Sequence, residues 1–158
     1  MQFMIEGQDI WVASLRDAPG GLAEKLLALR DAGADLDFII ARRSPDQPGA
    51  GVVFVTPLVT DTEIAAAAEV GFNVSRSLCA LRIDGPNRPG IAAEITKRLA
   101  DEGISLRGFS AAVSGARVIV NLAVDSLGTR DQVKEILEAW TEPVGAGLAS
   151  RHAVPISP

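Results

Sequence analysis

One pattern occurs twice in this sequence, 70 residues apart. Pro19-Gly20-Gly21-Leu22-Ala23-Glu24 returns as Pro89-Gly90-Ile91-Ala92-Ala93-Glu94. Continued without gaps, Leu29 meets Leu99, Asp31 meets Asp101, Gly33 meets Gly103 and Leu36 meets Leu106. Eight of the eighteen positions from Pro19 to Leu36 are then identical, well above what composition alone produces. A period this long is not a solenoid unit; it marks two copies of one small domain. In a chain of 158 residues, each copy lies near the lower end of independent stability.

The second copy spells out its elements more clearly. Cys79, Leu81 and Ile83 alternate with Ala80, Arg82 and Asp84, the pattern of a half-buried strand. Gly85-Pro86-Asn87-Arg88-Pro89-Gly90 breaks that strand before a helix whose apolar face is Ile91, Ile95 and Leu99, stopped at Gly103. Ile104 to Val113 and Arg117 to Val124 read as a hairpin around Ser114-Gly115. Thr129, with Gln132 three residues on, reads as the cap of a second helix. A closing strand is expected within residues 144–152, before a loose tail from about 150. The first copy repeats the order. Its strand is Ile10 to Leu15, and its helix bears Leu22, Leu26 and Leu29. A hairpin pair, Leu36 to Arg42 and Gly51 to Thr56, precedes a Thr60-x-x-Glu63 capping box and a closing strand over Phe72 to Arg76. The boundary falls near Ser77, giving repeats over residues 1–77 and 78–158. No flexible linker separates them, so the repeats are expected to pack together.

The order βαββαβ, twice, predicts an α+β fold of two ferredoxin-like units, each an antiparallel sheet with both helices on one face. Three strands are apolar on both faces: Phe38 to Ala41, Val52 to Val55 and Val118 to Val124. Such strands are covered on both sides. The helices cover one side. The expected cover for the other is a second chain, giving a homodimer; the alternative is that the two repeats fold over each other.

Bulk properties narrow the function. Nearly half the residues are apolar and the net charge is −5, with Lys and Arg scattered, so neither nucleic acid nor a membrane surface is an expected partner. No apolar run approaches the ~18 residues of a membrane span, and residues 1–9 lack the pattern of a signal peptide. One cysteine, Cys79, forms no intrachain disulfide framework and fits a cytoplasmic setting. No Cys/His cluster has metal-ligand spacing, so no metal or other cofactor is expected. His152, the one histidine, reads as a surface residue of the tail, Cys79 as a small core residue, and Trp11 and Trp140 as packing.

The Pro-Gly turn is where chemistry is expected. A glycine at a helix start exposes backbone N–H groups at the positive end of the helix dipole, a setting that suits a carboxylate. Asn87 adds a donor and an acceptor, and Pro89 stiffens the loop. The ordinary reading is a simple strand-to-helix turn with proline near the first helical position. Residues 79 to 113 go further and resemble an ACT domain, through the Asn-x-Pro-Gly turn, the Ala-x-x-Ile helix and Gly103-Ile104-Ser105-Leu106. The first copy resembles it through Asp17-Ala18-Pro19-Gly20-Gly21-Leu22-Ala23 and Ala32-Gly33-Ala34-Asp35-Leu36.

The resemblance implies a stand-alone tandem of two ACT repeats without catalytic activity. It would bind an amino-acid-like ligand and regulate an enzyme or a transcription factor. The ligand-binding residues it implies are Asn87, Arg88, Pro89, Gly90 and Ile91, and in the first copy Asp17, Pro19, Gly20, Gly21 and Leu22. Asp17 in place of Asn87, and Gly21 in place of Ile91, make the two sites unequal. Two other functions remain open. One is a protein-interaction regulator without a small ligand. The other is a small acylphosphatase-like enzyme using Arg88 and Asn121, against which stands the absence of that family's Gly-x-Val-x-Phe-Arg loop.

Overall fold

The computed structural model describes residues 3–141. They form two four-stranded antiparallel sheets and four α-helices. In the first repeat the order is β2 (Trp11–Arg16), α1 (Gly21–Asp31), β3 (Phe38–Arg43), β4 (Ala50–Thr56), α2 (Asp61–Glu69) and the two-residue β5 (Asn73–Val74), all following a short β1 (Met4–Gln8). The second repeat contributes β6 (Cys79–Pro86), α3 (Ile91–Asp101), β7 (Gly108–Ser114), β8 (Arg117–Val124) and α4 (Leu127–Thr141). The strand orders are β3-β4-β2-β5 and β1-β6-β8-β7, the ferredoxin-like arrangement expected from the sequence.

Strand β1 departs from that expectation. It crosses to the second repeat and pairs with β6 over five positions, Met4 opposite Asp84 through Gln8 opposite Ala80. It thereby takes the outer place of the second sheet, which the sequence pattern assigns to residues 144–152; that segment and His152 lie outside the described residues. The physical reason is the core. Phe3 and Ile5 are buried among Leu81, Ile83, Ile91, Ile95 and Leu99. Phe3 stacks on Trp140, with ring centroids 5.6 Å apart. Only Asp9 and Ile10 separate β1 from β2, so one chain segment passes directly from one sheet to the other.

Each core lies between a sheet and its helices. Leu81, Ile83, Val118, Val120, Leu122 and Val124 point to α3 and α4, where Ile95, Leu99, Val133 and Leu137 meet them. In the first repeat Ala13, Val53 and Val55 meet Leu29, Ala67 and Phe72. Trp11, Trp140 and Cys79 are partly buried against these cores, as packing residues. The Thr60 box is complete: Thr60 accepts the Glu63 N–H at 3.2 Å, and the Glu63 carboxylate accepts the Thr60 and Val59 N–H groups. Those hydrogen bonds, Val59 first, hold the Glu63 carboxyl below its usual range. Helix α4, however, begins at Leu127 and not at Thr129. Ser126 is already a capping hydroxyl, and its Oγ accepts the Thr129 N–H at 3.1 Å.

The faces turned away from the helices border a common space. Val12, Phe54 and Ile40 are aligned across the first sheet, and Ala80, Ala123 and Gly108 across the second; all six line one cavity. An ion pair of 3.8 Å, Arg82 to Asp37, spans the repeats. The second cover implied by the doubly apolar strands is therefore supplied in part by the other repeat.

Candidate functional site

The two Pro-Gly turns share three backbone hydrogen bonds, and the first adds a fourth, from the Ala18 N–H to the Arg16 carbonyl at 2.9 Å. Asn87 donates its N–H to the Ala116 carbonyl at 2.8 Å, and Asp17 donates to Gly49 at 3.0 Å. Each tie fastens the turn to the tip of the adjoining hairpin. Ile91 N–H then reaches Arg88 O at 3.2 Å, as Gly21 N–H reaches Ala18 O at 3.0 Å. Glu94 N–H closes onto Gly90 O at 3.0 Å, and Glu24 N–H onto Gly20 O at 2.9 Å. The cap residues Gly90 and Gly20 have φ of 82° and 87°, left-handed values that glycine adopts without a Cβ penalty. Neither helix has a side-chain cap, so first-turn N–H groups face outward at the positive end of the dipole.

The side chains differ. Asn87, Pro89 and Gly90 are exposed, and the Asn87 carboxamide has no protein partner among the described residues. The Asp17 carboxylate is held by Arg43 Nε at 2.9 Å. Arg88 forms a two-pronged ion pair with Glu94. Hydrogen bonding to Arg88 holds the Glu94 carboxyl below its usual range, and the same contact raises the Arg88 pKa. The first repeat has Ala18 and Glu24 at these places and so lacks the lock. Ile91 is buried in the second core, facing inward and not toward the turn surface. Leu22 is half-buried against the first core. Gly21 is buried and borders a shallow depression with Arg16, Glu24 and Lys25. Arg88 and Asn121, the pair required by a phosphatase reading, are not joined. Arg88 belongs to the turn, whereas Asn121 stands opposite Arg82 and Ser110 in the middle of the sheet.

The cavity between the repeats has a volume of about 450 Å³, and local sequence patterning did not locate it. Its walls are the open faces of both sheets together with Ser75 and Ser77 of the connection. The available signal was the run of strands apolar on both sides. Among the described residues no group of acidic, histidine and cysteine side chains could hold a metal, and no helix is long and apolar enough to cross a membrane.

Residues 80–141 match the family model of the ACT domain. The second repeat is an ACT domain. The first repeat has the same turn and strand order, so the chain is a tandem of two ACT-like repeats. A protein from Bacteroides thetaiotaomicron superposes with a TM-score of 0.68 at 17% identity, over 84% of this chain and 88% of that one. The ligand-free regulatory subunit of aspartate kinase from Thermus thermophilus superposes with a TM-score of 0.60 at 17% identity, over 90% and 97% of the two chains. A structure of aspartokinase α and β subunits gives 0.59 at 20% identity, over 88% and 96%. These alignments span both ACT-like repeats, and at such identities the likeness is one of fold. No curated protein matches the sequence.

Proposed function

We propose that this tandem ACT protein is a non-catalytic regulatory module that binds an amino-acid-like small molecule at its Pro-Gly turns, principally at Asn87 to Ile91. The observation that carries the reading is the second turn. It combines a left-handed Gly90 cap without a side chain over the helix start, an unpartnered Asn87 carboxamide, and a backbone already tied to the hairpin. A ligand carboxylate meets the first-turn N–H groups, and its ammonium meets the Asn87 oxygen. The fold shared with a regulatory subunit of aspartate kinase supports a regulated enzyme as partner; a transcription factor is the other class that fits a stand-alone module. Work in the cytoplasm fits this role.

A thermal-shift screen against the standard amino acids tests the reading. A ligand at 100 times its Kd raises stability by about 2.7 kcal/mol. Gly90→Val is expected to abolish turn binding with the circular dichroism spectrum unchanged. It forces a β-branched residue into the left-handed region and sets a side chain over the donors. Undiminished binding by this variant would place the site elsewhere. Asn87→Ala is expected to weaken binding by ~1.5–3 kcal/mol, the worth of a hydrogen bond to a charged group. Asp17→Ala is expected to do less, because Arg43 already engages that carboxylate. Calorimetry giving the opposite order would move the principal site to the first repeat.

Assembly as a homodimer belongs to the same proposal. Ile39 and Val113, on the outer strands β3 and β7, are large apolar side chains left 43% and 59% exposed, which supports a second copy as cover. Light scattering at tens of micromolar should give twice the chain mass of 16.5 kDa; the single-chain mass would exclude the dimer.

A further inference from the structure

We infer that the cavity between the open sheet faces is a second binding site, for an amino acid with an apolar side chain. This rests on the reading of the chain as an amino-acid binder but uses none of the turn residues. The cavity, at about 450 Å³, falls in the size range of small-molecule sites, roughly 300–1,000 Å³. Its walls are apolar through Val12, Ile40 and Phe54, and its polar side chains are serines, two arginines and Asn121.

Asn121 and Arg42 of this wall lack a partner among the described residues. The Asn121 Oδ1 is buried and accepts no hydrogen bond among the described residues. A buried polar atom of this kind calls for a donor that the fold itself does not supply. Asn121 also lines the cavity, so rotation of its side chain presents this acceptor to a ligand ammonium there. Arg42 makes no ion pair or hydrogen bond among the described residues, whereas Arg107, the other arginine of the wall, is held by Asp125 at 2.8 Å. No carboxylate lines the cavity. An anionic group therefore finds an uncompensated guanidinium there and no repulsion. A carboxylate for Arg42, an ammonium for Asn121 and an apolar side chain for Val12, Ile40 and Phe54 together describe an amino acid such as leucine or phenylalanine. Such a ligand touches both repeats and the Ser75–Ser77 connection, so its binding fixes how the repeats sit on each other. That gives a regulated partner a shape to read.

Calorimetry on the full chain carrying Gly90→Val, which removes the principal turn site, tests this, with the Asn121 and Arg42 variants separating the cavity from the first turn. L-leucine or L-phenylalanine is expected to bind one to one, at least tenfold more tightly than glycine or L-aspartate, and L-leucinamide at least tenfold more weakly than leucine. Adding Asn121→Leu or Arg42→Gln should each weaken leucine at least tenfold; Arg42 is exposed, so its variant folds even if the other does not. Binding of apolar amino acids by the wild type but not by the Gly90→Val chain overturns the second site and leaves the turn reading standing. Absence of amino-acid binding in every chain overturns both. A photo-crosslinker at Ile40 that captures residues 142–158 or a second copy, with no displacement by leucine, assigns the cavity to protein and overturns the proposal.

Discussion

Removal of residues 1–8 is expected to unfold the second repeat while the first stays folded. The deletion takes Phe3 and Ile5 out of a core that is otherwise entirely second-repeat in origin. Truncating one buried phenylalanine alone costs about 3–5 kcal/mol, against a total stability of about 5–15 kcal/mol for a small domain. The aromatic stack on Trp140 goes with it, on a ring that Arg98 also covers at 4.5 Å. Strand β6 is left with an unpaired edge. The first sheet keeps all four of its strands, because β5 closes it beside β2. The two tryptophans report the repeats separately, Trp11 from the first and Trp140 from the second. Urea unfolding of the single-tryptophan chains should show the Trp140 signal lost in the truncated protein and the Trp11 transition retained. Phe3→Ala should shift the Trp140 transition in the same direction. Equal midpoints for truncated and full-length chains would mean that β1 contributes nothing to the second repeat.

That strand also shows where sequence reading stops. The repeat, the four helices, both hairpins and the Thr60–Glu63 box are local patterns, and the fold follows them. Met4-Ile5-Glu6-Gly7-Gln8 has no apolar–polar alternation, and the repeat comparison points to residues 144–152 for the same place in the sheet. What decides in favour of β1 is non-local. Gly85 leaves room for Phe3, whose Cδ1 lies 2.0 Å from where a Cβ on residue 85 would sit. The turns were legible for the opposite reason, since Pro-Gly before an apolar helical stripe is a contiguous signal. The Arg88–Glu94 lock and the pairing of Asp17 with Arg43 were not, because a one-letter pattern does not say which charges meet. The inter-repeat cavity is further still from the sequence. It is made by residues of both repeats, and no local period encodes how two sheets face each other.

The repeats diverge most sharply one residue into their first helices, and the second large effect is expected there. Gly21 and Ile91 are equivalent positions, yet Ile91 is buried in the second core while Gly21 touches backbone. A Cβ on Gly21 would stand 2.1 Å from the Arg16 carbonyl oxygen and 3.2 Å from its carbon. No side-chain rotation relieves that overlap, so either the end of β2 or the start of α1 must move. Gly21→Ala is therefore expected to destabilise the first repeat by about 2 kcal/mol: overpacking of this kind costs ~3 kcal/mol, and alanine returns ~1 kcal/mol of helix propensity. Gly20→Ala, at φ 87° with nothing within 4 Å of the added carbon, should lose only ~1–2 kcal/mol through backbone strain. Urea midpoints read from Trp11 give the comparison, and a Gly21→Ala chain as stable as wild type would refute the close approach. The same contact bears on function. In the second repeat an isoleucine anchors the helix in the core and leaves the turn free to present its N–H groups. In the first, the helix start is pressed onto the strand's own carbonyl. Arg43 already engages the Asp17 carboxylate and the Arg16 oxygen already accepts the Ala18 N–H, so under the proposed function the second turn is expected to bind more tightly.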